Sequence, residues 1–315
     1  INKAHTTFID TIIKYQHKGR IHADINPIRG DSGGTVTGRF SYSNPNLQQI
    51  PARNKQLGPM IRSLFIPEEK HKWGCFDYSQ QEPRLVVHYA ASSQKLRDEE
   101  EVKKIVDEFN NNEVDFHQTV ADMADISRTQ AKTINLGLFY GMGKAKLQAE
   151  LGLSTKDEAE KLFNQYHDRV PFVKDLMNNT SKDGAALGYI RTLLGRKCRF
   201  DLWEPDSFAM HKALPYKEAA DAHGPTTRLK RAYTYKALNR LIQASAADMT
   251  KKAMVDIYKT GRLPMIQVHD EIAMSVKTID EAKEVAKIME TAVELKVPSK
   301  CDVEIGPSWG EAKEI

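Results

Sequence analysis

Four residues spaced by four, Arg128, Lys132, Leu136 and Tyr140, could bind an elongated anionic ligand. Each step of four residues in an α-helix turns the side chain by only about 40°, so the four would form one slanted stripe. Two cations followed by an apolar group and an aromatic ring suit a ligand that is anionic at one end and flat at the other. A nucleoside triphosphate has this shape. An amphipathic helix whose Lys and Arg extend to water would show the same pattern.

Residues around this stripe indicate how it is positioned. Ser127 and Gln130 have the spacing of a capping box, which predicts that the helix begins at this point. His117 lies on the preceding helical segment and could give the phosphates another hydrogen-bond donor.

Asp77 follows a short strand predicted over residues 71–76, at the point where a helix is expected to begin near Ser79. A carboxylate at the end of a strand is held rigidly, and Asp77 has no helix-capping role. Glu82 stands three residues after Ser79, so a capping box is one explanation for it. Asp77 is therefore a stronger candidate than Glu82 for a functional residue.

A second acidic group lies in a β-hairpin predicted over residues 263–276. Two alternating apolar arms flank His269, Asp270 and Glu271, which would lie at its tip. Three titratable residues in one turn repel or compete unless a cation or a function compensates them. A plain polar turn is the alternative.

The elements that must position these residues follow from periodicity. Residues 94–113 are rich in charge and predict a solvated face, residues 115–180 are helical, residues 181–234 are irregular, and helix returns over 235–259. Ala282, Val285, Ala286, Met289, Ala292 and Val293 trace the apolar stripe of a further amphipathic helix.

Composition limits the class of protein. The 315 residues, 40% of them apolar, are enough for a substantial core, and no apolar run approaches the length of a membrane span. Three scattered cysteines and no signal-peptide pattern predict a reducing, cytoplasm-like compartment. The first residue is Ile1, which predicts a fragment or processed product. The net charge is +4, and basic clusters at 191–199 and 228–240, the second containing Tyr233 and Tyr235, fit either a nucleic-acid groove or a solvated surface.

Together the three chemical segments resemble motifs A, B and C of the A-family DNA polymerases, the DNA polymerase I type, in order and spacing. The sequence Thr37-Gly38-Arg39 and residues 44–53 resemble the connection between thumb and palm in that family. Asn239 and Gln243 resemble its template-side helix, and residues 306–310 resemble its C-terminus. The resemblance covers nearly the whole chain.

The resemblance implies an α+β, right-hand polymerase fold with an antiparallel palm sheet and helical fingers. Residues 1–66 would form the thumb base and the thumb–palm connection. Residues 67–84 and 235–315 would form the palm, and residues 85–234 the fingers. It further implies template-directed DNA synthesis, in which dNTPs are added to a primer 3′-hydroxyl and pyrophosphate is released.

The resemblance also implies roles for single residues. Asp77, Asp270 and the Tyr78 carbonyl would hold two Mg²⁺ ions, for which Mn²⁺ could substitute, with Glu271 supporting them. Lys132 would donate a proton to pyrophosphate. The remaining assignments are contacts with the nucleotide by Arg128, Lys132, His117, Leu136, Tyr140, Glu82 and Gln80, and contacts with primer and template by Arg39, Gln48, Arg53, Asn239, Gln243 and His269.

The implied partners are primer–template DNA and dNTPs, with no membrane. The implied compartment is the cytoplasm of a bacterium or phage-infected host, and a location in an organelle is left as an alternative. Leu136 and Tyr235 differ from the usual family residues. Because most of the thumb is missing, low processivity and a need for an upstream thumb or exonuclease portion or a processivity partner are predicted. Replication, repair, phage and plasmid roles stay open.

Three alternatives share some of these features. A single-subunit RNA polymerase shares the paired aspartates, but Glu82 would obstruct a ribose 2′-hydroxyl. A non-catalytic nucleic-acid-binding module on a polymerase scaffold would not need Asp77, Asp270 and Lys132. A two-metal nuclease would need more clustered carboxylates and would leave the cationic stripe unexplained.

Overall fold

The computed structural model describes residues 5–30, 33–51, 54, 56–94, 96, 99–111, 115–139, 142–207 and 209–315, without the side chains of residues 123, 124, 136, 138, 139 and 169. The chain forms two compact units. The first combines residues 1–81 with residues 246–315, and the second contains residues 82–245.

The first unit is built on a five-stranded sheet in which every neighbouring pair is antiparallel. In spatial order its strands are Ile266–Val268, Glu271–Val276, Lys72–Tyr78, Cys301–Gly306 and Lys313–Glu314. The predicted antiparallel sheet and the hairpin over 263–276 are therefore confirmed. The central strand is Lys72–Tyr78, whose neighbours come from the last fifth of the chain.

Alternate side chains of the central strand point to opposite faces of the sheet. Buried residues lie on both of these faces. Tyr78 lies on the face covered by the helix Ile279–Thr291, and its hydroxyl donates to the Met289 carbonyl over 2.7 Å. Trp73 and Cys75 lie on the other face, in an apolar cluster with Phe65 and Trp309. The strand is thus fixed from above and below as well as along both edges.

The remaining elements of the first unit are short. They are a π-helical turn His5–Ile9, the helices Asp10–Tyr15 and Leu57–Arg62, the 3₁₀ turns Leu47–Gln49 and Trp309–Glu311, and the paired strands Gln16–His17 with Arg20–Ile21 and Asp24–Asn26 with Ser41–Ser43.

The second unit is mainly helical. Its helices are Glu99–Asn111, Phe116–Ala124, Arg128–Phe139, Lys144–Leu151, Lys156–Arg169, Pro171–Leu187 and Tyr216–His223, with a 3₁₀ turn at Thr234–Lys236. Two further helices, Gln81–Ala91 and Ala237–Lys259, include a unit boundary. Its strands are the hairpin Tyr189–Arg191 with Lys197–Arg199, and a three-stranded sheet of Leu229–Arg231, Leu202–Pro205 and Leu214–Pro215.

One of the expectations for this unit is incomplete and another is wrong. Residues 99–111 are not only a solvated face, because Val102, Ile105 and Phe109 are buried on one side of the helix. These residues are spaced by three and four, and the surrounding charge hides the pattern. Residues 181–234 are not irregular throughout, since they contain the hairpin and the small sheet. Within the described residues, no helix has both the length and the apolar character to cross a membrane.

Candidate active site

The central sheet of the first unit brings together acidic residues that are far apart in sequence. The strand register places Glu271 directly opposite Asp77 on one side and Asp302 opposite Asp77 on the other. The turn before Glu271 places Asp270 beside Tyr78, whose backbone N–H donates to the Asp270 carbonyl over 3.4 Å. Asp77 and Asp270, which are separated by 193 positions (270 − 77), therefore lie at the same end of one sheet.

Burial and the neighbouring carboxylates at this end of the sheet raise the pKa of Asp77. Partial burial contributes first, followed by repulsion from Asp270, Glu271, Asp302 and Glu304. Asp77 keeps an exposed side, so a cation could reach the carboxyl and reverse the part of the shift that comes from repulsion. Asp302 and Glu304 were not predicted, because only the register of their strand against the strand Lys72–Tyr78 brings them to this end of the sheet.

This donor set fits a hard divalent cation. Excess negative charge at an accessible sheet end favours such an ion, and carboxylate oxygens are the ligands that Mg²⁺ prefers. Among the described residues, no three His, Cys, Asp or Glu side chains form a ready-made metal cage. That is compatible with Mg²⁺, which is usually held by one or two carboxylates together with substrate phosphates.

Glu271 differs from Asp77 in being fixed by hydrogen bonds. The indole N–H of Trp309 donates to Glu271 Oε1 over 2.9 Å. Burial raises the pKa of Glu271, while Arg62 and the hydrogen bonds from Trp309 and Cys75 oppose the rise. Glu271 is therefore an oriented carboxylate beside Asp77, with its side chain engaged on the Trp309 side.

The predicted cationic stripe begins at a helix start that the structure confirms. The Ser127 N–H donates to Gln130 Oε1 over 2.9 Å, and the Gln130 N–H donates to the Ser127 hydroxyl over 3.2 Å. The helix Arg128–Phe139 follows directly. Arg128 is already paired, because its Nε lies 2.6 Å from Oδ2 of Asp115. Asp115 also caps the helix Phe116–Ala124. The N-terminus of this neighbouring helix therefore holds the Arg128 side chain in place.

Lys132 and His117 differ in exposure. Lys132 is exposed, whereas His117 is only 8% exposed. Burial, with the nearby charges of Lys132 and Arg128, lowers the pKa of His117 to about 4, and Asp115 opposes this shift. His117 is therefore neutral at ordinary pH, so any donor role that it has is that of an uncharged imidazole.

Comparison with known proteins decides the family. The sequence profile of DNA polymerase family A matches residues 1–311. The chain belongs to DNA polymerase family A. Members of this family generally use divalent metal ions, in agreement with the acidic sheet end.

Individual members resemble this family A chain along its whole length. A DNA-directed DNA polymerase of Pseudomonas phage M6 is 37% identical over 99% of the chain and 50% of the relative. The thermostable DNA polymerase I of Thermus filiformis is 33% identical over 100% of the chain and 35% of the relative. The chain thus spans half or less of the length of these curated relatives.

A solved structure supports the same assignment at the level of the fold. The POL domain of Pol1 from M. smegmatis, in complex with DNA primer-template and dNTP, has a TM-score of 0.77 and 29% identity. The match covers 98% of this chain and 51% of that one. The predicted α+β polymerase fold is therefore confirmed.

The other residues predicted to contact the nucleotide are Glu82, Gln80, Leu136 and Tyr140. Glu82 is half-buried in the first turn of the helix Gln81–Ala91, and Gln80 precedes that helix with a φ of +53°. Leu136 lies on the helix Arg128–Phe139, but its side chain is outside the described part of the structure, as is all of Tyr140.

The predicted primer and template contacts are also dispersed. In the first unit, Arg39 is half-buried and accepts through its carbonyl from the Thr35 hydroxyl, and the Gln48 amide donates to the Phe40 carbonyl over 3.2 Å. His269 is exposed at the hairpin tip with a φ of +57°. Arg53 lies outside the described residues.

In the second unit, Asn239 and Gln243 are half-buried on the helix Ala237–Lys259. The Nδ2 atom of Asn239 is buried and has no hydrogen-bond partner within the described chain. A buried donor in this state is costly, so it suits a ligand that brings an acceptor.

The basic clusters predicted as a groove or a solvated surface contain several cation–aromatic pairs in the second unit. Lys236 Nζ lies 5.2 Å from the ring centroid of Tyr233 and 5.4 Å from that of Tyr235. Lys197 Nζ lies 4.4 Å from the ring centroid of Tyr189. Tyr233, Tyr235 and Lys197 are exposed, so cations and aromatic rings both reach solvent in the second unit, as a nucleic-acid groove or a solvated surface would require.

Proposed function

We propose that the chain is the polymerase portion of a DNA-directed DNA polymerase, which adds dNTPs to a primer 3′-hydroxyl on a DNA template and releases pyrophosphate. The observation that carries the proposal is the meeting of Asp77 and Asp270 at one end of the central sheet, in a chain of this family. Residues 67–84 and 235–315 would serve as palm, residues 85–234 as fingers, and residues 1–66 as the thumb base and its connection.

Asp77, Asp270 and the Tyr78 carbonyl would hold two Mg²⁺ ions, or Mn²⁺ in their place. When bound, such ions lower the pKa of the primer hydroxyl and neutralise charge on the phosphates. A bound cation would favour the ionised form of Asp77, because it offsets the part of the pKa rise that comes from the neighbouring carboxylates rather than from burial. The hydrogen bond from the Trp309 indole N–H would hold the Glu271 carboxylate in a fixed orientation beside Asp77.

Nucleotidyl transfer forms a bond between the primer O3′ and the α-phosphorus, and breaks the bond from that phosphorus to the bridging oxygen. Arg128, Lys132 and His117 would hold the triphosphate during this step. Lys132 would give its proton to the departing pyrophosphate, since an exposed ammonium can serve as both clamp and acid. Leu136 and Tyr140 would lie against the nascent base pair.

Selection of substrate would depend on other side chains. Glu82 would occupy the space of a ribose 2′-hydroxyl and exclude ribonucleotides by steric clash, with Gln80 beside the nucleotide. Contacts with primer and template would come from Arg39, Gln48, Arg53, Asn239, Gln243 and His269. Donors in the minor groove meet acceptors in every base pair, so they can test pairing without reading sequence.

Primer extension with Mg²⁺ tests the proposal. Wild type should extend a labelled primer with dNTPs and much less with rNTPs. Asp77→Ala and Asp270→Ala should lose synthesis while still binding primer–template. Asp280→Ala, which removes an exposed carboxylate of the same unit, is the matched control and should stay active. Full synthesis by both site variants would contradict the proposal, and DNA binding without synthesis by wild type would favour a non-catalytic module.

A further inference from the structure

Three buried side chains from three helices of the second unit form a hydrogen-bonded chain that ends at His117. The Tyr166 hydroxyl, on the helix Lys156–Arg169, lies 2.5 Å from Asn135 Oδ1. Nδ2 of Asn135, on the helix Arg128–Phe139, lies 3.1 Å from His117 Nδ1. Tyr166 and Asn135 are fully buried, so each polar atom depends on these partners.

The distances determine which way the Asn135 amide points. A separation of 2.5 Å lies at the short end of the range for O–H···O contacts and below the range for N–H···O contacts, so the amide oxygen faces the Tyr166 hydroxyl. Burial raises the pKa of Tyr166, and Glu101 raises it further, so the phenol stays a donor. The amide NH₂ must then face His117 at 3.1 Å, a normal length for N–H···N.

This orientation fixes the tautomer of His117. An amide nitrogen can only donate, so Nδ1 of His117 must accept, and the ring hydrogen must sit on Nε2. No described residue accepts a hydrogen bond from Nε2. The charges facing the ring are Asp115, Arg128 and Lys132, and Phe116 meets it edge-on with centroids 6.0 Å apart.

Asn135 follows Lys132 by three positions and Arg128 by seven, so it lies on the same side of its helix as the two cations. We propose that Asn135 and Tyr166 are positioning residues, which hold His117 as the neutral Nε2–H tautomer so that this hydrogen is donated to the triphosphate of the incoming nucleotide. The inference deepens the proposed function and rests on it. Without the Asn135 donor, part of the population would turn a lone pair toward an anionic phosphate.

Nitrogen-15 NMR of protein labelled in its histidines reads the tautomer without any activity. The His117 signal is assigned by its loss in His117→Gln. Wild type should show a hydrogen on Nε2 and a bare Nδ1 between pH 6 and 9. Asn135→Asp should move the hydrogen to Nδ1, because a carboxylate can only accept there, and should raise the pKa of His117.

Steady-state kinetics then test the consequence. We expect the KM for dNTP to rise about tenfold in Asn135→Asp and about threefold in Tyr166→Phe, which correspond to the loss of one hydrogen bond at the upper and lower ends of its usual range. The affinity for primer–template should not change. Asn164→Asp, which makes the same substitution at an exposed position of the helix Lys156–Arg169, should match wild type in both assays.

Three results would overturn the inference. One is a wild-type His117 that carries its hydrogen on Nδ1, and another is an unchanged tautomer in Asn135→Asp. The third is a reversed tautomer with an unchanged KM, which would show that His117 does not donate to the nucleotide. If Asn135→Asp does not fold, Tyr166→Phe and the wild-type spectrum still decide. A wild type that fails to extend primers but shows the Nε2–H form would contradict the proposed function and not the tautomer.

Discussion

The hydrogen bond from Trp309 to Glu271 allows a sharp comparison between two neighbouring indoles. Trp309 and Trp73 stack with ring centroids 6.2 Å apart, and they are 3% and 2% exposed. Trp309 donates to Glu271, whereas the N–H of Trp73 is buried beside the weakly accepting Cys75 thiol and makes no good hydrogen bond within the described residues. Replacing either with Phe removes similar apolar area.

Trp309→Phe should therefore cost more stability than Trp73→Phe. A hydrogen bond to a charged group contributes about 1.5–3 kcal/mol, so we expect a difference of about 2 kcal/mol in the free energy of unfolding. Part of the attraction between Arg62 and the Trp309 ring, at 4.4 Å, survives because Phe keeps a π face. The assay is urea unfolding followed by hydrogen exchange in the peptide covering the strand Lys72–Tyr78.

The same comparison has a pH dependence with a definite sign. Burial already raises the pKa of Glu271 and the Trp309 bond opposes that rise, so Trp309→Phe should raise this pKa further. The loss of stability in Trp309→Phe should be greatest above the pKa of Glu271 in the variant. It should shrink as pH falls through that pKa, because a protonated Glu271 loses less when the Trp309 hydrogen bond is removed.

A double-mutant cycle with Glu271→Gln checks the assignment of this cost. The coupling energy between Trp309→Phe and Glu271→Gln should be about 1–2 kcal/mol. Equal losses for Trp73→Phe and Trp309→Phe, a difference that does not change down to pH 4, or a coupling near zero would contradict the reasoning.

Three further outcomes follow from other residues. His167 is buried with no partner for either ring nitrogen within the described chain, and burial, then Lys174, lowers its pKa to about 4. His167→Phe should gain about 1–2 kcal/mol and flatten the loss of stability that wild type shows as pH falls below about 6.5, as read by thermal unfolding at several pH values. Arg128→Ala should change stability by less than about 1 kcal/mol, since the Asp115 pair is half-exposed, yet raise the KM for dNTP; an unchanged KM would remove Arg128 from the site. Glu82→Ala should increase incorporation of rNTPs relative to dNTPs in primer extension, and unchanged selectivity would remove its steric role.

Local sequence patterns were enough to predict several elements of the fold and several candidate site residues. The position of Asp77 at a strand end, the hairpin around Asp270 and the capping box at Ser127 each depend on a few adjacent residues, whose turn and cap chemistry act over short distances. The helix Ile279–Thr291 followed from its apolar stripe. The antiparallel sheet followed from the family resemblance, which covers nearly the whole chain.

The parts that could not be predicted depend on distant residues. Asp302 joins the acidic sheet end only through the register of a strand more than 200 positions after Asp77. The pairing of Arg128 with Asp115 and the placement of Asn135 between Tyr166 and His117 depend on how helices pack. Periodicity identifies which face of a helix is apolar, but it does not identify the partner of a single polar side chain.

The order of strands in the central sheet also affects how the protein is made. The ribosome delivers the strand Lys72–Tyr78 about 190 residues before its neighbour Glu271–Val276. At about 5–20 residues per second this is a wait of roughly 10–40 s. During that time the nascent chain carries an apolar β-segment with both edges unpaired, and the second unit, which ends at residue 245, is finished only 26 residues (271 − 245) before that neighbour begins. Chaperones that bind extended apolar segments would protect the newly synthesised chain at this stage.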